Sequence, residues 1–279
     1  ALDNMSQSFQ LAQEMERYGL TESEFNDILD AKNPYTKYWN QLPVLGVMGV
    51  RTGVVDWFND PEKNIHAPWG WNGFNNNFFS KETGGISQYD FNVSFNIEDR
   101  VYLGATLGVY DVNYDRYTSY TENLNDDKGA DNGGYTLDNY YRLEGTGMDL
   151  KLGVIVRPIE SSPFRLGFAV HTPTWYDLRE SYNATLSSDI LAYEKPYIQT
   201  LSDFLVTPEY DYLTYDYNLT TPWKFNVSAG TTFAGAVAVG AEYEYQDYSS
   251  SKLKDVDGYE LGDQLSVENY LKGVHTFRI

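Results

Sequence analysis

Residues 88–98 alternate with a period of two. Tyr89, Phe91, Val93, Phe95 and Ile97 occupy the odd positions, and Gln88, Asp90, Asn92, Ser94, Asn96 and Glu98 the even ones. Successive side chains on a strand point to opposite faces, so this pattern makes a two-faced β-strand and a poor helix. It recurs along the chain. Val101, Leu103, Ala105, Leu107 and Val109 oppose Tyr102, Gly104, Thr106 and Gly108. Leu150, Leu152, Val154 and Val156 oppose Asp149, Lys151, Gly153 and Ile155; after Pro158–Pro163, Phe164, Leu166, Phe168 and Val170 oppose Arg165, Gly167, Ala169 and His171. Trp223, Phe225, Val227 and Ala229 alternate with Lys224, Asn226, Ser228 and Gly230, and Val237, Val239, Ala241, Tyr243 and Tyr245 with Gly240, Glu242, Glu244 and Gln246. The class this implies is antiparallel all-β.

Such strands build either a soluble sandwich or a membrane barrel, since about ten tilted residues also cross a bilayer. Connection lengths separate the two. Short turns at 99–100, 158–163 and 234–235 alternate with long connections at about 116–146, 177–222 and 249–273. Short and long in strict alternation is the layout of outer-membrane barrels. Tyr89, Tyr176, Trp223, Tyr243 and Tyr245 read as apolar-face residues at the strand ends nearest the long connections, where an interfacial aromatic girdle sits. The first reading is therefore an antiparallel transmembrane β-barrel with long extracellular loops. A soluble β-sandwich or lipocalin-like binding module is the second.

The remaining segments are less regular. Met5, Phe9 and Ala12 form a short helical stripe, and Thr21-Glu22-Ser23-Glu24 has capping-box form ahead of Phe25, Ile28 and Leu29, so 1–32 is expected to be helical. Residues 44–56 are apolar without a clear period, and 59–84, rich in Asn, Gly and aromatics, reads as irregular. The division expected is 1–85 as a helical and irregular outer excursion and 86–279 as barrel strands with long loops, one domain incomplete at both ends. Six strands are clear and Gly273 begins another, whereas closed bacterial barrels have even counts of at least about eight.

Composition narrows the function. Forty acidic residues against twenty basic ones give a net charge of −20, which disfavours nucleic acid as a partner. There is no cysteine, hence no thiolate nucleophile or Cys-based metal site. His66, His171 and His275 are too scattered for a metal motif, and 123–132 lacks the glycine an EF-hand loop requires, with Lys128 at that point. No nucleophile elbow, Walker loop or dinucleotide fingerprint is present, so no enzyme and no cofactor are expected.

Several blocks, in order, resemble the FadL-type outer-membrane transporters of hydrophobic compounds, most of all the branch found in Bacteroidetes: Tyr102–Gly108, Gly145–Gly153, Arg157-Pro158, Arg165–Thr174, Trp223–Gly230 and Val239–Tyr248. The similarity covers roughly 85–279. It implies a fourteen-stranded barrel in the bacterial outer membrane that passes long-chain fatty acids or similar molecules without chemistry, its partners being a hydrophobic small molecule and outer-membrane lipid. The family's hatch and its Asn-Pro-Ala element have no counterpart here, so gating does not carry over. The helices at 1–32 would correspond to a helical outer loop, with Phe9, Met15, Phe25, Ile28 and Leu29 as a landing surface for ligand.

Inward positions of such a barrel include Asp90, Asp149, Lys151, Arg157, Arg165, His171, Lys224, Glu242 and Glu244. They form a salt-bridged lumen wall, in which Lys151, Arg165 and Lys224 are the candidates for meeting a carboxylate headgroup and His171 is a further ligand-binding candidate. A function from another class fits the same layout: a surface protein whose Tyr- and Trp-rich loops bind glycans or a protein, the barrel serving as anchor.

Overall fold

The computed structural model describes residues 6–38, 41–62, 65–126, 128–191, 196–234 and 236–279. Four helices come first: α1 (Gln7–Arg17), α2 (Glu22–Asp30), α3 (Pro34–Tyr38) and α4 (Val44–Arg51). Eight strands follow: β1 (Val55–Asp60), β2 (Ile65–Gly70), β3 (Asn72–Ile97), β4 (Val101–Asn125), β5 (Asp131–Val156), β6 (Arg165–His171), β7 (Trp175–Ser188) and β8 (Tyr197–Thr200). A short α5 (Ser202–Leu205) leads to β9 (Thr214–Thr220), β10 (Lys224–Phe233), β11 (Val237–Asp247) and β12 (Lys252–Asp255); α6 (Gln264–Tyr270) precedes β13 (Gly273–Arg278). The chain is mostly antiparallel β-sheet, with an 11-stranded sheet and a separate β1–β2 hairpin. Among the described residues no helix is long and apolar enough to cross a membrane.

Two segments differ from expectation, and 44–56, left open by the sequence, takes a definite form. Residues 44–56 are α4 and the start of β1; α4 is apolar on nearly every side because it is almost wholly buried. Residues 59–84, expected to be irregular, include β2 and the first part of β3, where ladder pairing overrides a turn-like composition. The long connections are themselves largely strand, since β4 runs to Asn125, β5 starts at Asp131 and β7 reaches Ser188.

The chain divides into two units. The first holds residues up to 83 together with 115–142 and 181–214; the second holds 84–114, 143–180 and 215–279. Segments 115–142 and 181–214, which lie within the expected 86–279 domain, thus group with the helices.

The first unit has a conventional core. Met15, Ile28, Tyr35 and Met48 from the helices meet Leu124, Leu137, Leu186, Leu201 and Leu205, all fully enclosed. α2 starts with the expected capping box: Thr21 Oγ1 accepts from Glu24 N, and Glu24 Oε2 accepts from Thr21 N. α1 is closed on β2 by Gly70, where a Cβ would run into the backbone of Ser8 and Phe9. Ser6 caps α1, and its Oγ donates to buried Glu122 at 2.7 Å; the Tyr135 hydroxyl donates to the same carboxylate oxygen at 2.5 Å. A carboxylate at a helix N-terminus is favoured by the helix dipole, which offsets part of its desolvation. Burial pushes the Tyr182 hydroxyl up to about 12, and raises those of Tyr35 and Tyr135 as well.

The second unit is an open sheet ordered β3-β4-β5-β6-β10-β11-β13, with β7, β9 and β12 continuing from the other end of β5. Register fixes its faces. One row of neighbours is Val154, Phe168, Val227, Tyr243 and Phe277; the next apolar row is Leu152, Val170, Phe225, Tyr245 and His275. The row between them is Gly153, Ala169, Asn226 and Glu244, and the rows flanking the pair are Lys151, His171, Lys224 and Gln246 on one side and Ile155, Gly167, Ser228, Glu242 and Arg278 on the other. Away from the edge strand β3, which is exposed on both faces, the apolar face is the more exposed one: Phe168 is 49% and Phe225 48% exposed, whereas Asp149 on the other face is 5% exposed. A water-soluble sheet has the reverse distribution.

Tyr176 belongs on the polar face, contrary to its expected place in the aromatic girdle. Its ring lies 5.6 Å from that of Tyr110, and a Cβ on Gly147 would run into it. The outward aromatic at that strand end is its neighbour Trp175, 48% exposed.

Candidate functional site

The polar face of the second unit carries a belt of charged side chains contributed by successive strands. Strand alternation puts Asp90, Asp149, Lys151, His171, Lys224, Glu242 and Glu244 on that face, and the ladder register brings them side by side. Lys151 Nζ lies 3.2 Å from Asp90 Oδ1 and 3.8 Å from Asp149 Oδ1, and 5.8 Å from the centre of the Tyr110 ring. The Tyr110 hydroxyl donates to Asp149 Oδ2 at 2.8 Å, and Thr174 Oγ1 donates to the same oxygen at 3.4 Å. Asp149 fits because β4 has Gly108 beside it; a Cβ there would run into Asp149 Oδ1.

Across β10, β11 and β13 the belt continues. Lys224 Nζ is 3.8 Å from Glu244 Oε2, Asn226 Nδ2 donates to Glu242 at 3.0 Å and to Glu244 at 3.1 Å, and Arg278 pairs with both carboxylates. His171 sits in register between Lys151 and Lys224, three basic side chains abreast. The imidazole of His171 keeps the two ammonium groups from lying directly opposite each other, and the carboxylates of Asp149 and Glu244 lie 3.8 Å from Lys151 and Lys224.

The other two expected basic residues are placed differently. Arg165 is exposed and stacks on Tyr102, its guanidinium carbon 5.5 Å from the ring centre. Arg157 ties the turns together, donating to the backbone oxygens of Asp99 and Glu160. The structure thus brings Lys151, His171 and Lys224 into one row and leaves Arg165 one strand-end away, beside a floor of small residues. That floor includes Gly104, Gly153, Gly167 and Ser228 and lines an open-sided cavity of about 420 Å³.

The expected landing surface for ligand is not a surface. Phe9 and Phe25 are buried against Trp69 and Trp57, with ring centres 5.1 and 5.7 Å apart; Met15 and Ile28 are fully buried, and only Leu29 is exposed. The stripes that marked these residues in the sequence are the inward stripes of α1 and α2, which pack on the rest of the first unit.

Sequence reasoning missed Tyr110, Thr174, Asn226 and Arg278 as members of the belt; Tyr110 and Asn226 fall on the alternation that marked the others, whereas Thr174 lies in the break between β6 and β7. Glu122 left no sequence signal: a lone glutamate among polar residues becomes a buried anchor only once α1 docks. Among the described residues, no group of three or more His, Cys, Asp and Glu side chains is placed to hold a metal ion. His275 stands on the apolar face, its Nδ1 2.7 Å from the Tyr243 hydroxyl.

The chain matches no family model and no curated protein.

Proposed function

We propose that this chain is part of the wall of a bacterial outer-membrane β-barrel that lets hydrophobic small molecules, long-chain fatty acids or similar, pass without chemistry. One observation carries the membrane part: on β5, β6 and β10 the apolar side chains at the level of the belt are exposed, whereas Asp149, Lys151 and Lys224 on the other face, with Glu244 of β11 beside them, are buried or half-buried. In a bilayer an exposed apolar band is solvated by lipid, and a polar interior by water. Only a closed sheet satisfies every backbone group there. β3 and β13 form the free edges, and with neighbours antiparallel throughout they run the same way, so antiparallel closure requires an odd number of further strands. Fourteen strands in all would add seven. On this reading the spanning segments lie in the second unit.

The transport part rests on the FadL-type resemblance and on a lumen wall that combines basic side chains with a glycine-rich floor. Passage rather than catalysis is favoured because the belt's carboxylates are each paired with a lysine or arginine. Uptake of a labelled fatty acid into liposomes by the full-length protein tests it. Faster uptake than in empty liposomes is the expected result. A protein that inserts, leaves uptake unchanged and binds glycan or protein through its outer hairpins is an anchor for recognition instead.

A further inference from the structure

The outward face of the second unit changes character at one level. Along β5, exposed Leu152, Leu150 and Met148 give way to Thr146 and Glu144; along β4, Leu103 and Leu107 give way to Asp111 and Asn113; along β7, Trp175 gives way to Asp177 and Arg179. These lie on one face by alternation, and the residues between them, Val112 and Leu178, are buried on the other. Trp175 and Trp223, each 48% exposed, mark the border; amphipathic aromatics of this kind gather where hydrocarbon meets headgroups.

Just beyond that border lies an open groove of about 730 Å³. Arg179 binds Asp216 in it through two parallel hydrogen bonds of 2.7 and 2.9 Å. Asp111, Glu144 and Asp177 add three more carboxylates, Asn113 an amide and Tyr217 an aromatic ring. We infer that this groove seats the neutral sugar headgroup of a membrane glycolipid, an inference that rests on the bilayer reading above. Vicinal hydroxyls donate to carboxylates and accept from amide and guanidinium groups, and hydrogen bonds to charged acceptors are the stronger kind. An anionic headgroup is disfavoured, because it would meet three carboxylates and a guanidinium already neutralised by Asp216. Continuity with the apolar face supplies the rest of the ligand: acyl chains on Leu150 and Met148 lead directly to a headgroup at Glu144.

Native mass spectrometry of the full chain released from nanodiscs tests this. The bilayer would contain a monoglucosyl diacylglycerol, phosphatidylglycerol and phosphatidylethanolamine with matched acyl chains. The glycolipid is expected to be retained preferentially, and the double variant Glu144→Ala/Asp177→Ala to retain it about tenfold less, with both phospholipids unchanged. Asp111→Asn serves as a milder second variant should the double one not fold. Equal retention of all three lipids, a preference that neither variant alters, or retention of phosphatidylglycerol only when calcium is present would overturn the proposal while leaving the membrane reading intact. A chain that stays folded and monomeric without detergent would remove both.

Discussion

At the scale of single residues, the two faces of the second unit make opposite demands. Leu152 and Phe168 are exposed on the apolar face, so under the proposed bilayer placement arginine at either puts its charge in hydrocarbon. Leu152→Arg and Phe168→Arg are each expected to lower stability by about 2–4 kcal/mol near the bilayer midplane, read from urea unfolding out of lipid vesicles. Asn92→Arg, on the polar face of β3, is expected to change stability little. Equal tolerance of arginine on the two faces would reverse the assignment of inside and outside.

Tyr182 gives a residue-scale test of the first unit. Burial holds its folded hydroxyl at about 12, above the roughly 10 of an unfolded tyrosine. A group raised in this way contributes stability that is complete below the unfolded value and is lost as pH climbs through the folded one. Between about pH 10 and 12 this one side chain should withdraw on the order of 3 kcal/mol. Buried Tyr35 and Tyr135, raised by the same cause, add to the loss. Tyr182→Phe should shift the alkaline unfolding midpoint upward, followed by near-UV circular dichroism alongside tyrosinate absorbance. An unchanged midpoint would mean the hydroxyl is solvated.

At the scale of elements, the β3–β4 hairpin shows where local chemistry is imperfect. Arg100 N donates to Ile97 O, so the central residues of the turn are Glu98 and Asp99, one earlier than the Asp99-Arg100 expected from the sequence. Both have left-handed backbone, φ 52° and 53°. This is the geometry of a hairpin turn that favours Asn-Gly, and Asp99 is helped by hydrogen bonds with Asn96. Glu98 has no such help. Glu98→Asn is expected to raise stability by up to about 1 kcal/mol, measured as a shift in the urea midpoint; a loss would show that the glutamate does something at that turn.

Elements also show which signals survive from sequence to fold. Strand alternation at 88–98, 145–175 and 223–246 was legible because the two faces meet different surroundings. The α2 capping box was legible because its hydrogen bonds are local. The strand at 72–84 was hidden, since its Asn and Gly content points to turns and only pairing with β4 makes it β. Phe9, Met15, Phe25 and Ile28 show a further limit: amphipathic stripes tell that a face is apolar, not whether protein or ligand covers it. The charged belt lay between these cases. Its residues could be assigned to a face, but their pairing across β5, β6, β10 and β11 depended on register.

At the scale of the whole molecule, the two units solve different problems. The first buries its apolar side chains on themselves, as proteins in water do. The second leaves Phe91, Phe95, Phe168, Phe225 and Phe277 exposed and buries or half-buries Asp149, Lys151, Lys224 and Glu244 on the opposite face. That inversion is the central claim, because membrane insertion, the polar lumen and the sugar-lined border all depend on it. With no cysteine in the chain, a single introduced cysteine can carry a spin label at any position without interference. The direct measurement is collision accessibility by electron paramagnetic resonance, in liposomes, for labels placed one at a time from 146 to 153 on β5. Oxygen accessibility is expected to peak at 148, 150 and 152, out of phase with a water-soluble relaxation agent that peaks at 149, 151 and 153. Two reagents rising and falling together, or oxygen peaking at the odd positions, would contradict it.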